Sequence, residues 1–439
     1  MKKIAVVGAS IGGLVAAVNL RNMGFDVTIF EKGKSIGGLF SQVDTPFGHC
    51  ELGMHVLYVT EEQRRLLVKI FGDIFIVKYG YELDIGAHYN NGILNTDSIY
   101  PDISHLATKD LIYSQIISKL PKKKCTSAAD EFTRRFGSEA ANTIYSPILE
   151  KLWNIDSRKL TAQSIHCYYD LRRIIVADKG ASDDLKKDPY MDAIIGNPIQ
   201  SEPAGKVYGD RCALFFKKDT KGISEVAISN LSKIGINTEL TSNVNLHNDT
   251  LLLDDVPISN SFDACILASP LNALDKTLAN SLTCNELSIF YFKIANSISN
   301  TLPSYYVLCH SPDLISSRIV NYKAYNFEKN EKLNHIIAIE VLHTVGKRPN
   351  HSDIKNELNQ VLPGIKVEDV YLFPHSLKIV SPTLKNANIL DTKTTALQTK
   401  FKGGPLFFVG MRTDKGVFFS HQTIGAACDA ALECSKRLS

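Results

Sequence analysis

Residues 3–32 read KIAVVGASIGGLVAAVNLRNMGFDVTIFEK. A basic start followed by an apolar, small-residue run has the outline of an exported leader. The glycines point elsewhere. Residues 4–7 form a short β-branched and apolar run suited to a buried parallel strand, and Gly8, Gly12 and Gly13 follow it directly. Residues 14–23 then read as a small-residue helix closed by Gly24, and 27–30 as a second strand ending at Glu31. The stretch is one βαβ unit, expected to be retained and to bind a ligand.

In such a unit the pattern Gly-x-Gly-x-x-Gly lets the backbone turn tightly and approach a pyrophosphate at a helix N-terminus, where unpaired N–H groups and the helix dipole favour negative charge. The three slots here hold Gly8, Ser10 and Gly13, serine being small enough to preserve the approach. Glu31 stands eighteen residues beyond Gly13 at the end of the second strand. A carboxylate there accepts the two ribose hydroxyls of an adenosine and repels a 2′-phosphate.

The chain of 439 residues is long enough for two domains. A hydrophobic share of 44% and a charged share of 22% are those of an ordinary globular protein, and a formal charge of +3 gives no reason to expect a nucleic-acid partner. Nine cysteines without a C-x-x-C pair or nearby histidines read as reduced core thiols of a cytoplasmic protein, with no metal site. No apolar run is long enough for a membrane span. The basic run KLPKKKC at 119–125 reads as a solvated loop or as a contact for anionic lipid or substrate phosphate. A small-molecule substrate is expected, and a homodimer is left open.

Beyond Lys32 the chain departs from a simple dehydrogenase. The segment GKSIGGLFSQVDTPFGHCELGMHVLYVT, 33–60, is glycine-rich with a hairpin-like TPFGH, suited to wrapping an extended cofactor. A helix is expected at 62–72 and several more over 107–163. Residues 212–247 return to strand, helix and strand, 262–270 (FDACILASP) add a strand and turn, and 305–310, 317–325 and 335–343 alternate in strand fashion. The end, 404–438, reads as buried strand, glycine turn, loop and final helix. An α/β layer assembled from separated pieces follows: 1–75, 205–270 and 386–439 as one domain, 76–204 and 271–385 as the other.

Four stretches resemble the two-dinucleotide-binding-domain flavoproteins, a superfamily of amine oxidases, protoporphyrinogen oxidase, carotenoid desaturases and UDP-galactopyranose mutase. They are the βαβ unit ending at Glu31, EKGKSIGG at 31–38, KGISEVAISNLSKIGINTELTSNV at 221–244, and LFFVGMRTDKGVFFSHQTIGAACDAAL at 406–432. The resemblance implies an α/β, Rossmann-like FAD-binding domain of the GR2 type with an inserted mixed α+β substrate domain. It implies FAD as cofactor. Gly8, Ser10, Ile11 and Gly13 would hold the pyrophosphate, Glu31 the ribose and Lys32 the adenosine side, while Gly38 and Leu39 pass beneath the cofactor. Many members carry Arg at the position of Leu39. Val244 would offer its backbone to adenine, and Gly410, Thr423 and Ile424 would face the ribityl chain and flavin.

Three further stretches are similar to the sugar-nucleotide mutase and protoporphyrinogen-oxidase-like branch found in surface-polysaccharide pathways: ELGMHVLYVT at 51–60, ILEKLWNIDSRKLTAQSI at 148–165 and SSRIVNYKAYNF at 316–327. By that similarity Gly53 and His55 lie beside the flavin, and Arg318 and Lys323 are candidate substrate contacts. The implied activity is that of an FAD-dependent oxidoreductase acting on a small or sugar-nucleotide-like substrate by hydride transfer to flavin N5, or, alternatively, a flavin-dependent sugar-nucleotide mutase. His55 is the candidate proton acceptor, as readily a hydrogen-bonded structural histidine. Arg318 and Lys323, an odd number apart on one expected strand, would by strict alternation occupy opposite faces. Trp153 reads as a stacking platform or a core residue, and His421 as a flavin neighbour or a helix-start residue.

Overall fold

The computed structural model describes residues 1–38, 42–52, 56–78, 85–88, 94–95, 98–118, 124–199, 211–217, 222–295, 304–325, 331–401 and 404–439. At its centre a parallel five-stranded sheet runs in the order Ile236–Glu239, Asp26–Phe30, Lys3–Val7, Ala264–Leu267, Leu406–Phe408. Its middle strands are apolar runs without alternation because both faces are covered. Ile4, Val6, Val27, Ile29 and Ile266 are fully buried on one core, and Ala5, Val7, Cys265 and Leu267 on the other side.

The first helix, Ile11–Asn22, begins earlier than residue 14, because Gly12 and Gly13 continue the helix instead of preceding it. Its small residues Gly12, Gly13, Ala16 and Ala17 admit the final helix, Ser420–Leu438, whose Ala427, Ala430 and Ala431 face it in the same core. Small side chains on both partners let the helix backbones approach closely. The helix Glu61–Phe71 starts at a reciprocal cap, with Thr60 accepting from the Gln63 N–H and Gln63 reaching back to the Thr60 N–H. The strands Gln42–Thr45 and Gly48–Glu51 form the hairpin expected at TPFGH.

A second, eight-stranded sheet stands beside this layer. Its longest strand, Cys284–Ile294, pairs with Ile336–Thr344 on one side and with Val367–Leu372 and Leu377–Val380 on the other. The sheet continues through Arg318–Asn321, Tyr306–Cys309, Ile85–His88 and Leu94–Asn95. Alternation sorts the long strand between two cores: Leu287, Ile289 and Tyr291 face the helical segment 124–199, while Phe290, Phe292 and Ile294 face the helix His351–Val361. Trp153 is fully buried in the first of these cores, so it packs and does not present a face to a ligand.

Arg318 opens the strand Arg318–Asn321, which ends before Lys323; Lys323 stands in the short helix Tyr322–Tyr325. The expected alternation therefore stops at Asn321, whose side chain accepts from the Lys323 N–H at 3.2 Å.

Candidate functional site

The carboxyl ends of the parallel strands converge on a cradle made largely of backbone. Gly8 has φ +98°, donates its N–H to the Phe30 carbonyl at 2.8 Å, and leaves no room for a side chain, since a Cβ would stand 2.9 Å from the Ser269 amide nitrogen. A Cβ on Gly13 would collide with the Gly8 carbonyl oxygen, and one on Gly12 would stand 2.6 Å from Thr423 Cγ2. The loop, the first helix and the final helix are thus held at backbone contact.

Ser10 is the N-cap of the first helix but makes no side-chain cap, its hydroxyl reaching only the Ala268 carbonyl at 3.5 Å. The Ser10 side chain therefore leaves the first-turn N–H groups of that helix uncapped, the arrangement that receives a phosphate. Ile11 is buried beneath. Ser10 bridges Gly37, the Gly37 N–H donates to the Ala9 carbonyl at 2.9 Å, and Gly38 passes the loop with φ +59°.

Glu31 ties the cradle together. One carboxylate oxygen accepts from the Ala9 N–H and the other from the Gly33 N–H, each at 2.7 Å. Its carbonyl accepts from the Ser242 N–H at 2.9 Å, two residues before the buried Val244. Lys32 is exposed. On the opposite rim the Val409 N–H donates to the Leu267 carbonyl at 2.8 Å, Gly410 follows, and Thr423 and Ile424 are buried in the early turns of the final helix. Gly425, next along that helix, opens onto space: a Cβ there meets no atom within 4 Å. The expected residues Gly8, Ser10, Ile11, Gly13, Glu31, Gly38, Gly410, Thr423 and Ile424 are brought together. Leu39, Gly53 and His55 lie outside the described residues.

Arg318 and Lys323 stand apart from this cradle, and Arg318 belongs to a second constellation. Its guanidinium donates to Glu340 at 2.7 Å, lies 5.5 Å from the Tyr168 ring centroid and 5.7 Å from that of Tyr306. Glu340 is fully buried, and its other oxygen accepts from the Tyr168 hydroxyl at 2.6 Å. Burial, reinforced by the Glu340 charge, pushes the Tyr168 phenol well above its ordinary range, so it stays a donor. Arg318 Nε has no acceptor among the described residues.

From Tyr168 the aromatic contacts run on through Phe418, Phe419 and His421, with centroid separations of 5.4, 5.4 and 5.6 Å, and return through Tyr58, 6.3 Å from His421, to its neighbour Tyr306. The circuit closes on Arg318. Tyr58, Tyr306, Arg318, Phe418, Phe419 and His421 are all half-buried. Phe419 and His421 place this aromatic cluster at the start of the final helix, whose Thr423 meets the cradle.

Tyr168 is held at φ +65°, a left-handed conformation that costs a non-glycine residue about 1–2 kcal/mol. The neighbouring Cys167 thiol donates to the Thr413 carbonyl at 3.2 Å and the Thr161 hydroxyl to the Asp414 carbonyl at 3.1 Å. Segment 161–168 therefore fastens the loop before the final helix to the sheet that carries Arg318. The sequence reading missed Tyr168, Tyr306, Glu340 and the Phe418–Phe419 pair. Glu340 had a signal, a lone carboxylate inside the apolar run HIIAIEVLH, which needs a partner when buried.

Arg412 is spent on structure: it pairs with Asp414 at 2.8 Å and Asp391 at 2.9 Å. Among the described residues no cluster of three His, Cys, Asp or Glu side chains is arranged to hold a metal ion, and no helix is long and apolar enough to cross a membrane.

Comparisons with known proteins show what this fold is similar to. A family model described as NAD(P)-binding Rossmann-like domain matches residues 6–74. The probable zeta-carotene desaturase of Synechococcus elongatus is 28% identical over 192 residues, 37% of this chain and 40% of the desaturase. Reduced UDP-galactopyranose mutase aligns over 99% of this chain and 96% of its own at a TM-score of 0.66 with 15% identity, and putrescine oxidase over 99% of both at 0.58 with 12%. The chain has the flavoprotein fold expected from its motifs, its N-terminal unit is Rossmann-like, and its relatives and neighbours include flavin-dependent oxidoreductases.

Proposed function

We propose that this protein is an FAD-dependent oxidoreductase that binds a small organic substrate in a chamber walled by the aromatic cluster around Arg318. The cradle supports FAD by steric and electrostatic fit: glycines where a Cβ would collide, an uncapped helix N-terminus for the pyrophosphate, and Glu31 at the ribose position with two oxygens already oriented by N–H donors. FAD bound there supplies hydride acceptance at N5. The protein's own contribution is to orient the substrate and exclude water. The aromatic rings stack a flat molecule, and Arg318, fixed by Glu340, offers a hydrogen bond to one polar end.

The observation that carries this reading is the pairing of Arg318 with Glu340. A sugar-nucleotide diphosphate needs uncompensated cations, and the chamber's guanidinium is already neutralised, as is the nearby Arg412. A flavin-dependent sugar-nucleotide mutase remains the second reading, favoured by the full-length alignment with UDP-galactopyranose mutase.

The test is the absorption spectrum of the purified protein before and after dithionite, then with air readmitted. Flavin bands that bleach and return quickly support an oxidase. Slow return moves weight to the mutase or to an oxidoreductase with a dedicated acceptor, and a colourless protein that cannot be reconstituted with FAD rejects the proposal.

A further inference from the structure

We propose that a crevice on the helical segment 124–199 is a second ligand site, which takes a small, uncharged, hydroxyl-rich molecule of the size of a sugar ring. None of the residues that line it belongs to the cradle or to the aromatic cluster around Arg318, and the inference rests on neither.

The crevice has a volume of about 530 Å³, within the range of small-molecule sites, and opens where the helix Ala128–Ala140, the helix Ser146–Trp153 and the turn Ser157–Lys159 meet. Its floor is polar and buried. Ser146 and Ser157 are only 9% and 2% exposed, and the Ser157 hydroxyl donates to that of Ser146 at 3.0 Å. The Ser146 hydroxyl proton is then left without an acceptor among the described residues, and a buried donor of that kind is satisfied by whatever fills the space it lines. Ser146 opens its helix directly after the π turn Ala141–Tyr145, an irregularity that is frequent at functional sites.

The other lining groups define the ligand's chemistry. One Glu150 oxygen accepts from the Ser157 N–H at 2.9 Å, and the second has no hydrogen-bond partner among the described residues. Arg158 donates to the two oxygens of Asp156 at 2.9 and 2.5 Å, so its guanidinium is already neutralised, and Glu150 repels an anion. An ammonium group could pair with Glu150 but, having donors only, would leave the Ser146 proton unmet. Asn142, exposed at the rim, supplies both an acceptor and a donor. A hydroxyl group donates and accepts at once, so several on one molecule answer all of these positions. The half-buried Pro147 and Ile155 offer a small apolar face to the ring C–H groups of such a molecule.

The experiment is saturation-transfer NMR on the purified full chain with myo-inositol and methyl α-D-glucopyranoside, with putrescine and acetate as the cationic and anionic probes. Transfer to at least one polyol with a millimolar Kd is expected, weakened about fivefold by Ser146→Ala, which removes the buried donor. Asn142→Trp, which places an indole across the opening, is expected to abolish it. The latter changes an exposed side chain, so it decides alone if Ser146→Ala does not fold. No transfer to either polyol, transfer unchanged in the variants, or a preference for putrescine or acetate overturns the proposal.

Discussion

The dinucleotide cradle and the aromatic cluster around Arg318, the proposed substrate chamber, meet at the start of the helix Ser420–Leu438, yet they are made of different material. The cradle is backbone: N–H groups, carbonyls and glycines at which a Cβ has no room. The chamber is side chains drawn from Tyr58, Tyr168, Tyr306, Arg318, Glu340 and the Phe418–Phe419 pair, distributed over most of the chain. A backbone site tolerates no change of bulk but is indifferent to most neighbouring side chains. A side-chain site depends on each buried charge keeping its partner, so losing one costs stability without touching the cofactor cradle. The two regions should therefore fail in different ways.

The largest separation is expected from Glu340→Ala. Leaving Arg318 buried without its partner should cost about 3–5 kcal/mol of stability, read by urea denaturation, with FAD retention per folded molecule unchanged. Gly13→Ala is the reciprocal experiment. Its Cβ collides with the Gly8 carbonyl, which should cost about 2–3 kcal/mol and abolish flavin retention, read from the thermal midpoint and the visible spectrum. Equal loss of flavin in both variants would erase the distinction.

Acid should attack the chamber side. His310, whose ring lies 4.8 Å from that of Tyr169 behind Arg318, is pushed down to about 3 by burial, with Lys151 and His88 adding to it. The unfolded chain binds the proton that the folded chain refuses, so this contribution is complete above pH 6.5 and is lost as the pH falls toward 3. Between pH 7 and pH 5 stability should fall by about 2 kcal/mol, and His310→Phe should flatten that slope in denaturant titrations. The smallest effect is expected at Glu31→Ala, which removes the acceptors of two loop N–H groups without a steric clash. FAD affinity should drop roughly tenfold, measured by equilibrium dialysis. Full flavin occupancy at limiting FAD would count against the ribose assignment.

The same contrast explains what was legible in the sequence. The cradle could be read because steric need for glycine at 8 and 13 and an acid at 31 fall within one continuous stretch, and because three short apolar runs announced the parallel strands. The chamber could not, because Tyr168, Glu340 and Phe418 are adjacent only after the two sheets and segment 161–168 have docked. Strand periodicity placed Arg318 correctly on a strand but carried Lys323 too far, since alternation says nothing about where a strand ends. The lone Glu340 in its apolar run was visible, but its partners were not.

The order of the parallel sheet has a consequence for biosynthesis. Lys3–Val7 lies between Asp26–Phe30 and Ala264–Leu267, and the far edge is filled by Leu406–Phe408. On the ribosome the first strand and helix emerge early, but their neighbour at 264–267 is translated some 260 residues later and the edge strand later still. Pairings of such long sequence separation form slowly. During that interval the helix Glu61–Phe71 can pack in the same core as Ile11–Asn22, but the residues that the final helix covers in the finished molecule wait for it. Nascent chains of this protein are expected to depend on a chaperone that shields those residues until the last helix arrives.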